Sequence, residues 1–391
     1  MSAPAPAHAP SLILFTTSQT ALPVRYAHPS KPTLVIPPLV HRSLHNALDG
    51  DAQSALLLGD QAGSSSGRLI IPHPDGLIKH DLPSHNLQGS SSQIRIDEAN
   101  SSPSGVTISN LPESESIHSP LDIELTVKLH LVAPSPTPPS SAFKSTSNGT
   151  STRGSWISEA LSILSEYKGL SRDAIDTLLI GFKGIDYRGE KNDPIPTPGT
   201  NGTNGTKNTN GNVDDNETIP SELEEEVLEI FQHLEEADVG KETKLGILYS
   251  PLGLLKKLVE QVGDAKTRKV GVNALDTPDC HHLPKEYTGY ARENGIELWA
   301  GSLGEGSDPL PSAHLHNLLQ EFVPALGAIG QPQPSLQKLG KLIPVREDGS
   351  KFDDQRETGV EVRWVLSYTL VSKTRNVVKD KGYIIAADFA S

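Results

Sequence analysis

The chain has 391 residues and carries 34 Lys and Arg against 48 Asp and Glu, a formal charge of −14. That sign repels a phosphate backbone and an anionic lipid surface alike, so neither nucleic acid nor a membrane is expected as a partner. Hydrophobic residues make up 35% and aromatics 5%, below the roughly 45 to 50% apolar share of a globular domain, so part of the chain is expected to lie in loops.

Cys280 stands alone, which excludes an internal disulfide and a cysteine-rich zinc site and suits a reducing compartment. The apolar run Leu12 to Phe15 is too short for a signal peptide. No run approaches the roughly 18 apolar residues of a membrane span. A soluble, cytoplasmic protein is expected.

Residues 1–120 are expected to be poorly structured, with room for first barrel elements and one strand at Gly67 to Ile71. Residues 121–391 should form the folded body, interrupted by flexible polar insertions at 134–153, 189–220 and 328–358. The first two bury too little apolar area to offset their backbone entropy; the third is Gly/Pro/Gln-rich and then charged.

Between the insertions, strand and helix signals alternate. Ile123 to Val132 reads as a strand bounded by Pro120 and Pro134, and Trp156 to Lys168 as a helix stopped by Gly169. Asp176 to Ile180 is a strand; Ser221, with Glu224 three positions later, reads as the N-cap of a helix carrying Val227, Ile230 and Phe231 on one face. The strands Lys244 to Leu248 and Lys269 to Asn273 follow, separated by a helix over Pro251 to Val262. A helix over Pro284 to Asn294, the strand Ile296 to Ala300, and a helix carrying Leu315, Leu319 and Phe322 come next. Val362 to Val371 is strongly apolar, and Lys381 to Ala387 reads as a short terminal strand. Five or six β/α units in one run predict a barrel rather than a doubly wound sheet.

No phosphate-binding loop occurs: Gly304-x-Gly306 lacks the third glycine of a dinucleotide fingerprint, and Gly63 to Gly67 matches GxSxG without a strand and helix around it. Cys280, His281 and His282 are adjacent, and neighbours in sequence rarely converge on one ion, so no metal site is expected. Cys280 remains a candidate redox-responsive thiol. His41 with His45, and His314 with His316, read as surface or half-buried residues rather than ligands.

The alternation, with a lysine in an early strand, resembles the aldo-keto reductase barrel, which implies a (β/α)8 TIM-barrel-like fold, here with fewer than eight recognisable units. That family works with a tyrosine acid, a lysine and an aspartate that tune it, and a histidine that orients the carbonyl. Lys128 falls where the family lysine sits, whereas Gly181 in DTLLIGFK occupies the histidine position. No tyrosine lies between Tyr26 and Tyr167, where the proton donor should be. The family's carboxamide-binding asparagine and glutamine correspond to Tyr249 and Ala274. Lys373 and Arg375, in VSKTR, resemble a phosphate-gripping segment. The comparison implies a vestigial Lys128, no catalytic set and no required cofactor.

The segments SRDAIDTLLIGF, TKLGILYSPLGLLKKLVEQV and VRWVLSYTLVSKTRNVVKDKGYIIAADF resemble the regulatory (modifier) subunits of glutamate-cysteine ligase, catalytically silent relatives of the aldo-keto reductases. This resemblance implies a non-enzymatic subunit that forms a heterodimer with the ligase catalytic subunit in glutathione biosynthesis. It would raise the partner's apparent glutamate affinity and relieve feedback inhibition by glutathione. Cys280 stands near a place where such proteins can carry paired cysteines, and an intersubunit disulfide is left open. Tyr383, Ile384 and Ile385, read as an exposed edge, are the candidate partner contact. The alternative is an NADPH-dependent aldo-keto oxidoreductase, or an NADPH-binding redox sensor, using Lys128, Lys373 and Arg375.

Overall fold

A computed structural model describes residues 12–16, 36–49, 55–58, 68–80, 82, 123–133, 152–187, 219–234, 239–261, 268–275, 283–300, 306–329, 339, 359–374 and 377–389. Ten strands and seven α-helices occur among them. In chain order they are β1 (Leu12–Phe15), α1 (Ile36–Leu48), β2 (Leu56–Leu58), β3 (Arg68–Ile71), β4 (Ile123–Leu131), α2 (Thr152–Lys168), β5 (Thr177–Phe182) and α3 (Ser221–His233). Then come β6 (Lys244–Leu248), α4 (Leu252–Glu260), β7 (Val270–Ala274), α5 (Lys285–Glu293), β8 (Glu297–Trp299), α6 (Ser312–Glu321), α7 (Val323–Ile329), β9 (Val360–Ser372) and β10 (Val377–Phe389).

All ten strands join one sheet in the order β2-β3-β1-β10-β9-β4-β5-β6-β7-β8. Five of its nine pairings are parallel, four of them in the run from β4 to β8. The protein is thus mixed α/β with a mostly parallel sheet, and β2 and β8 stand at its two ends. Within β4 to β8 each strand returns through a helix, as the alternation in the sequence requires. The crossover helices α2, α3, α4 and α5 all bury their apolar stripes in one core, against Leu125, Val127, Leu129, Leu178, Ile180, Leu245 and Ile247 of the strands. A doubly wound sheet would divide them between two faces. A second core lies among α1, α6, α7 and the strands β1, β3, β9 and β10. No helix among the described residues is long and apolar enough to cross a membrane.

Local signals explain most of these elements. In α2, Trp156, Ala160, Leu161 and Leu164 repeat at helical spacing and are buried. Gly169 ends it at φ +69°, and a Cβ there would also lie 2.5 Å from the His80 carbonyl oxygen. The capping box expected at Ser221 does not form: Pro220 is the N-cap, and Glu224 turns to Lys257 of α4. A neighbouring ammonium competes successfully for that carboxylate.

Residues 1–120, expected to be poorly structured with room for first barrel elements, supply two elements to the cores. The β1 residues Leu12 to Phe15 are all buried, pairing with β3 on one side and β10 on the other, and α1 fills the second core with Ile36, Val40 and Leu44. The strand expected at Gly67 to Ile71 is β3. The insertions at 134–153, 189–220 and 328–358 lie outside the described residues except at their borders and at Leu339, which is buried in the second core.

The terminal strand is not short. β9 and β10 are 13 residues each and form a hairpin inserted between β1 and β4. β10 extends before Lys381, where the expected strand begins, through Lys379 and Asp380 back to Val377. This stretch is a strand because one carboxylate oxygen of Asp380, a residue 3% exposed, is engaged from three directions. Its Oδ2 accepts from His80 Nε2 at 2.7 Å and from the Tyr368 hydroxyl at 3.1 Å, and lies 3.3 Å from the buried Lys168 Nζ. Burial alone would raise the Asp380 carboxyl, but the His80 hydrogen bond and the Lys168 charge bring it down to about 2. Burial lowers the Lys168 ammonium, against the pull of Asp380. Burial and the Asp380 charge raise the Tyr368 phenol.

A carboxyl held below its ordinary value of 3.8 stabilises the fold above that value and loses the contribution as pH falls towards 2. Asp380→Asn is expected to cost about 3 kcal/mol at pH 7, because Lys168 keeps a buried charge without its partner. It should also remove about 2 kcal/mol of the wild type's loss between pH 4 and 2. Urea titrations at each pH check both; equal pH slopes in the two proteins would refute the assignment.

Candidate functional site

Parallel β/α architectures place chemistry at the carboxyl ends of their strands. At that end, β4 finishes with His130 and Leu131, β5 with Gly181 and Phe182, β6 with Leu248, and β7 with Asn273 and Ala274. His130 is paired in register with Gly181. A Cβ on Gly181 would meet His130 Nδ1 at 3.2 Å and the Leu248 side chain at 3.0 Å. The family histidine position therefore has a histidine beside it on the adjacent strand, in space a side chain on residue 181 would enter.

Tyr249 follows β6 with φ of 58°, the one non-glycine residue with positive φ among those described. An L-residue pays roughly 1 to 2 kcal/mol for that conformation. Its amide donates to the Ala274 carbonyl at 2.8 Å, and its own carbonyl accepts from the Tyr187 amide at 3.0 Å. The ring is buried, 6.2 Å from that of His130. Leu179, Leu248, Tyr249, Val272 and Ala274 pack as one cluster, with Trp299 against it.

Behind Tyr249 lies a closed polar network. Asn273 Nδ2 donates to the Ser250 carbonyl at 3.0 Å and to the Tyr287 hydroxyl, and Asn273 Oδ1 accepts from the Ser250 amide at 3.3 Å. The Tyr287 hydroxyl donates to the Ser250 carbonyl at 2.6 Å, and its ring stacks on Tyr187 with centroids 5.4 Å apart. Burial, with Tyr187 adding to it, raises the Tyr287 phenol, so it stays a neutral hydrogen-bonding group. These groups fix the turn after β6.

The structure thus brings together three positions singled out in the sequence, Gly181, Tyr249 and Ala274. Lys128 lies two residues before His130 on β4, on the same face by the strand period, paired in register with Leu179 and Ser367. Lys373 is elsewhere. It sits in the β9–β10 turn beside the amino end of β4, its Nζ 3.2 Å from Asp176 Oδ1, while Asp176 Oδ2 accepts from the Leu125 amide. The expected phosphate grip is therefore engaged at the opposite end of the sheet from Tyr249 and Ala274. Arg375 and Cys280, with His281 and His282, lie outside the described residues.

The expectation of an exposed edge at Tyr383, Ile384 and Ile385 is corrected. β10 is flanked by β9 and β1 there; Ile384 and Ile385 are fully buried and Tyr383 half-buried. His41 and His45 meet Glu321 at 2.9 Å and Asp49 at 3.5 Å, and no metal-ligating group of three or more His, Cys, Asp or Glu occurs among the described residues. Sequence reading missed His130, Asn273 and Tyr287 as neighbours. The alternation in IELTVKLHL, which sets Lys128 and His130 on one face, was the available signal for the first.

Comparison with protein-family models, with curated proteins and with solved structures finds no match to this chain.

Tyr287→Phe is expected to destabilise the protein by about 1 to 3 kcal/mol, since Asn273 and the Ser250 carbonyl lose a buried partner. A lower urea midpoint at unchanged slope checks this; an unchanged midpoint would mean the network holds nothing.

Proposed function

We propose that this chain is a non-catalytic regulatory subunit of glutamate-cysteine ligase, a cytoplasmic protein derived from the aldo-keto reductase barrel and acting as a heterodimer with the catalytic subunit. The observation that carries the reading is the stretch VSKTRNVVKDKGYIIAA at residues 371–387, which resembles that protein class and departs from the helical ending of ordinary reductases. A barrel ancestry is supported by the run from β4 to β8 with its crossover helices on one face.

The non-catalytic part of the reading is supported by what occupies the strand ends. Gly181 cannot orient a carbonyl, and Tyr249 and Ala274 lack the carboxamides that hold a nicotinamide in the family. The neighbouring polar groups are spent on one another, in the Asn273, Ser250 and Tyr287 network. Lys373, needed for the NADPH alternative, is paired with Asp176.

Regulation without chemistry requires binding one state of the catalytic subunit better than another. A coupling of about 1 to 3 kcal/mol changes an affinity roughly 5 to 150-fold. Adding this protein to the purified catalytic subunit should lower the half-saturating glutamate concentration and weaken inhibition by glutathione. No kinetic change, together with no complex on a sizing column, would overturn the reading; NADPH-dependent carbonyl reduction by this chain alone would replace it with the oxidoreductase.

A further inference from the structure

Large hydrophobic side chains exposed to about half their area are few among the described residues: Ile78 at 47%, Val377 and Val378 at 49% each. They share one corner. His80 meets Asp380 at 2.7 Å, Ile78 stands two residues before His80, and Val378 two residues before Asp380. Lys79, Lys379 and Lys381 are exposed on the same two segments, while Asp380 is buried. A chain with a formal charge of −14 thus carries an apolar, cationic corner.

The backbone there is equally distinctive. β10 pairs with β9 from Val377 to Phe389 with a register shift at Lys379 and another after Ala386, but β1 covers it only from Ile384 to Ala387, with a last bond from the Thr16 amide to the Tyr383 carbonyl at 2.9 Å. Residues 377–382 therefore run on for about 20 Å with no described strand on the β1 side. Tyr383 directs its carbonyl to that side, and the two-residue period directs the Lys381 main chain the same way.

We propose that this corner docks an extended, acidic segment of a protein partner, which adds to the sheet as a strand alongside residues 377–382. Carboxylates on the incoming segment meet Lys79, Lys379 and Lys381, and its apolar side chains cover Ile78, Val377 and Val378. The main-chain edge and the valines fit a polypeptide, since nucleic acid or an anionic membrane would engage the charge alone and meet the chain's overall negative field. The lysines also select against a second copy of this chain: two such edges repel each other, whereas an acidic strand is attracted. The Asp380 contacts to His80, Lys168 and Tyr368 hold both segments in place beforehand, so little order has to be gained on binding. Identifying the partner as the ligase catalytic subunit rests on the function proposed above.

Amide hydrogen exchange on the intact protein, with and without purified catalytic subunit, tests the inference. Protection gained at residues 377–382 is expected, together with binding weakened about tenfold or more in Lys379→Glu/Lys381→Glu and in Val377→Ser/Val378→Ser. All four positions are exposed, and unchanged circular dichroism and melting confirm that the variants fold. A complex that forms with no protection there and with unaltered variant affinity would overturn the docking surface and leave the regulatory function standing. No complex with the wild type would overturn that function and the proposal with it. Binding to phosphatidylserine vesicles that the lysine variant loses, with its affinity for the catalytic subunit unchanged, would assign the corner to a membrane and overturn the proposal.

Discussion

Because β9 and β10 lie between β1 and β4, the two parts of the sheet are joined through this hairpin. On one flank β4 pairs with β9 from Ile123 to Leu131; on the other, β1 pairs with β10 over Leu12 to Phe15. Such an insertion needs a device that sets the hairpin's position along its neighbours, since apolar alternation is satisfied equally by shifts of two residues. Asp380 is well suited to that task. Its Oδ2 gathers His80 from the segment after β3, Lys168 from the end of α2 and Tyr368 from β9, and slipping the strand would leave several buried polar groups without partners. The carboxylate's desolvation is a cost that a packed apolar residue would avoid; in return one side chain specifies the relative placement of three elements.

The same economy is visible at the carboxyl ends of the parallel strands. Asn273, Ser250 and Tyr287 are arranged for mutual satisfaction, and Tyr249 is held in a left-handed conformation by main-chain bonds to Ala274 and Tyr187. Strained residues of this kind cluster at active sites and ligand clamps. Here its ring is buried against neighbouring strands, where it contributes to packing. With Leu179, Leu248, Val272 and Ala274 packed around it, this end of the parallel strands is part of the core.

How much of this was legible in sequence depends on what each element relies on. The strands β4 to β7 and helices α2 to α5 rest on local periodicity and short turns, and their outlines follow from the pattern of Leu, Ile and Val. Gly181, Tyr249 and Ala274 converge because each was placed at a strand end. The failures share a cause, which is dependence on distant residues. β1 is four residues long and gains its identity from β10, more than 360 positions away, so LILF carries little local signal. α1 has a regular buried stripe, but Pro37 and Pro38 look like breakers; they are tolerated because they fall in its first turn. The extension of β10 through Lys379 to Lys381 is stabilised by the His80 hydrogen bond and the Lys168 charge that meet Asp380. Lys373 is paired with Asp176 beside the amino end of β4, a placement that likeness to a phosphate-binding segment does not reveal, since it says nothing of which end of the sheet a hairpin turn will occupy.

The order of strands in space has a consequence for the order of events in time. β9 and β10 follow every other strand among the described residues, yet they occupy the middle of the sheet. During synthesis β1 and β3 can pair with each other, and β4 to β8 can assemble with their helices, long before residues 360–389 exist. Until then β1 and β4 each present an unfilled apolar edge to the cell. Closing that gap requires contacts of very large sequence separation, a topology that folds slowly and leaves exposed edges to be shielded while the chain waits. A protein built this way should depend on chaperones more than its size alone would suggest.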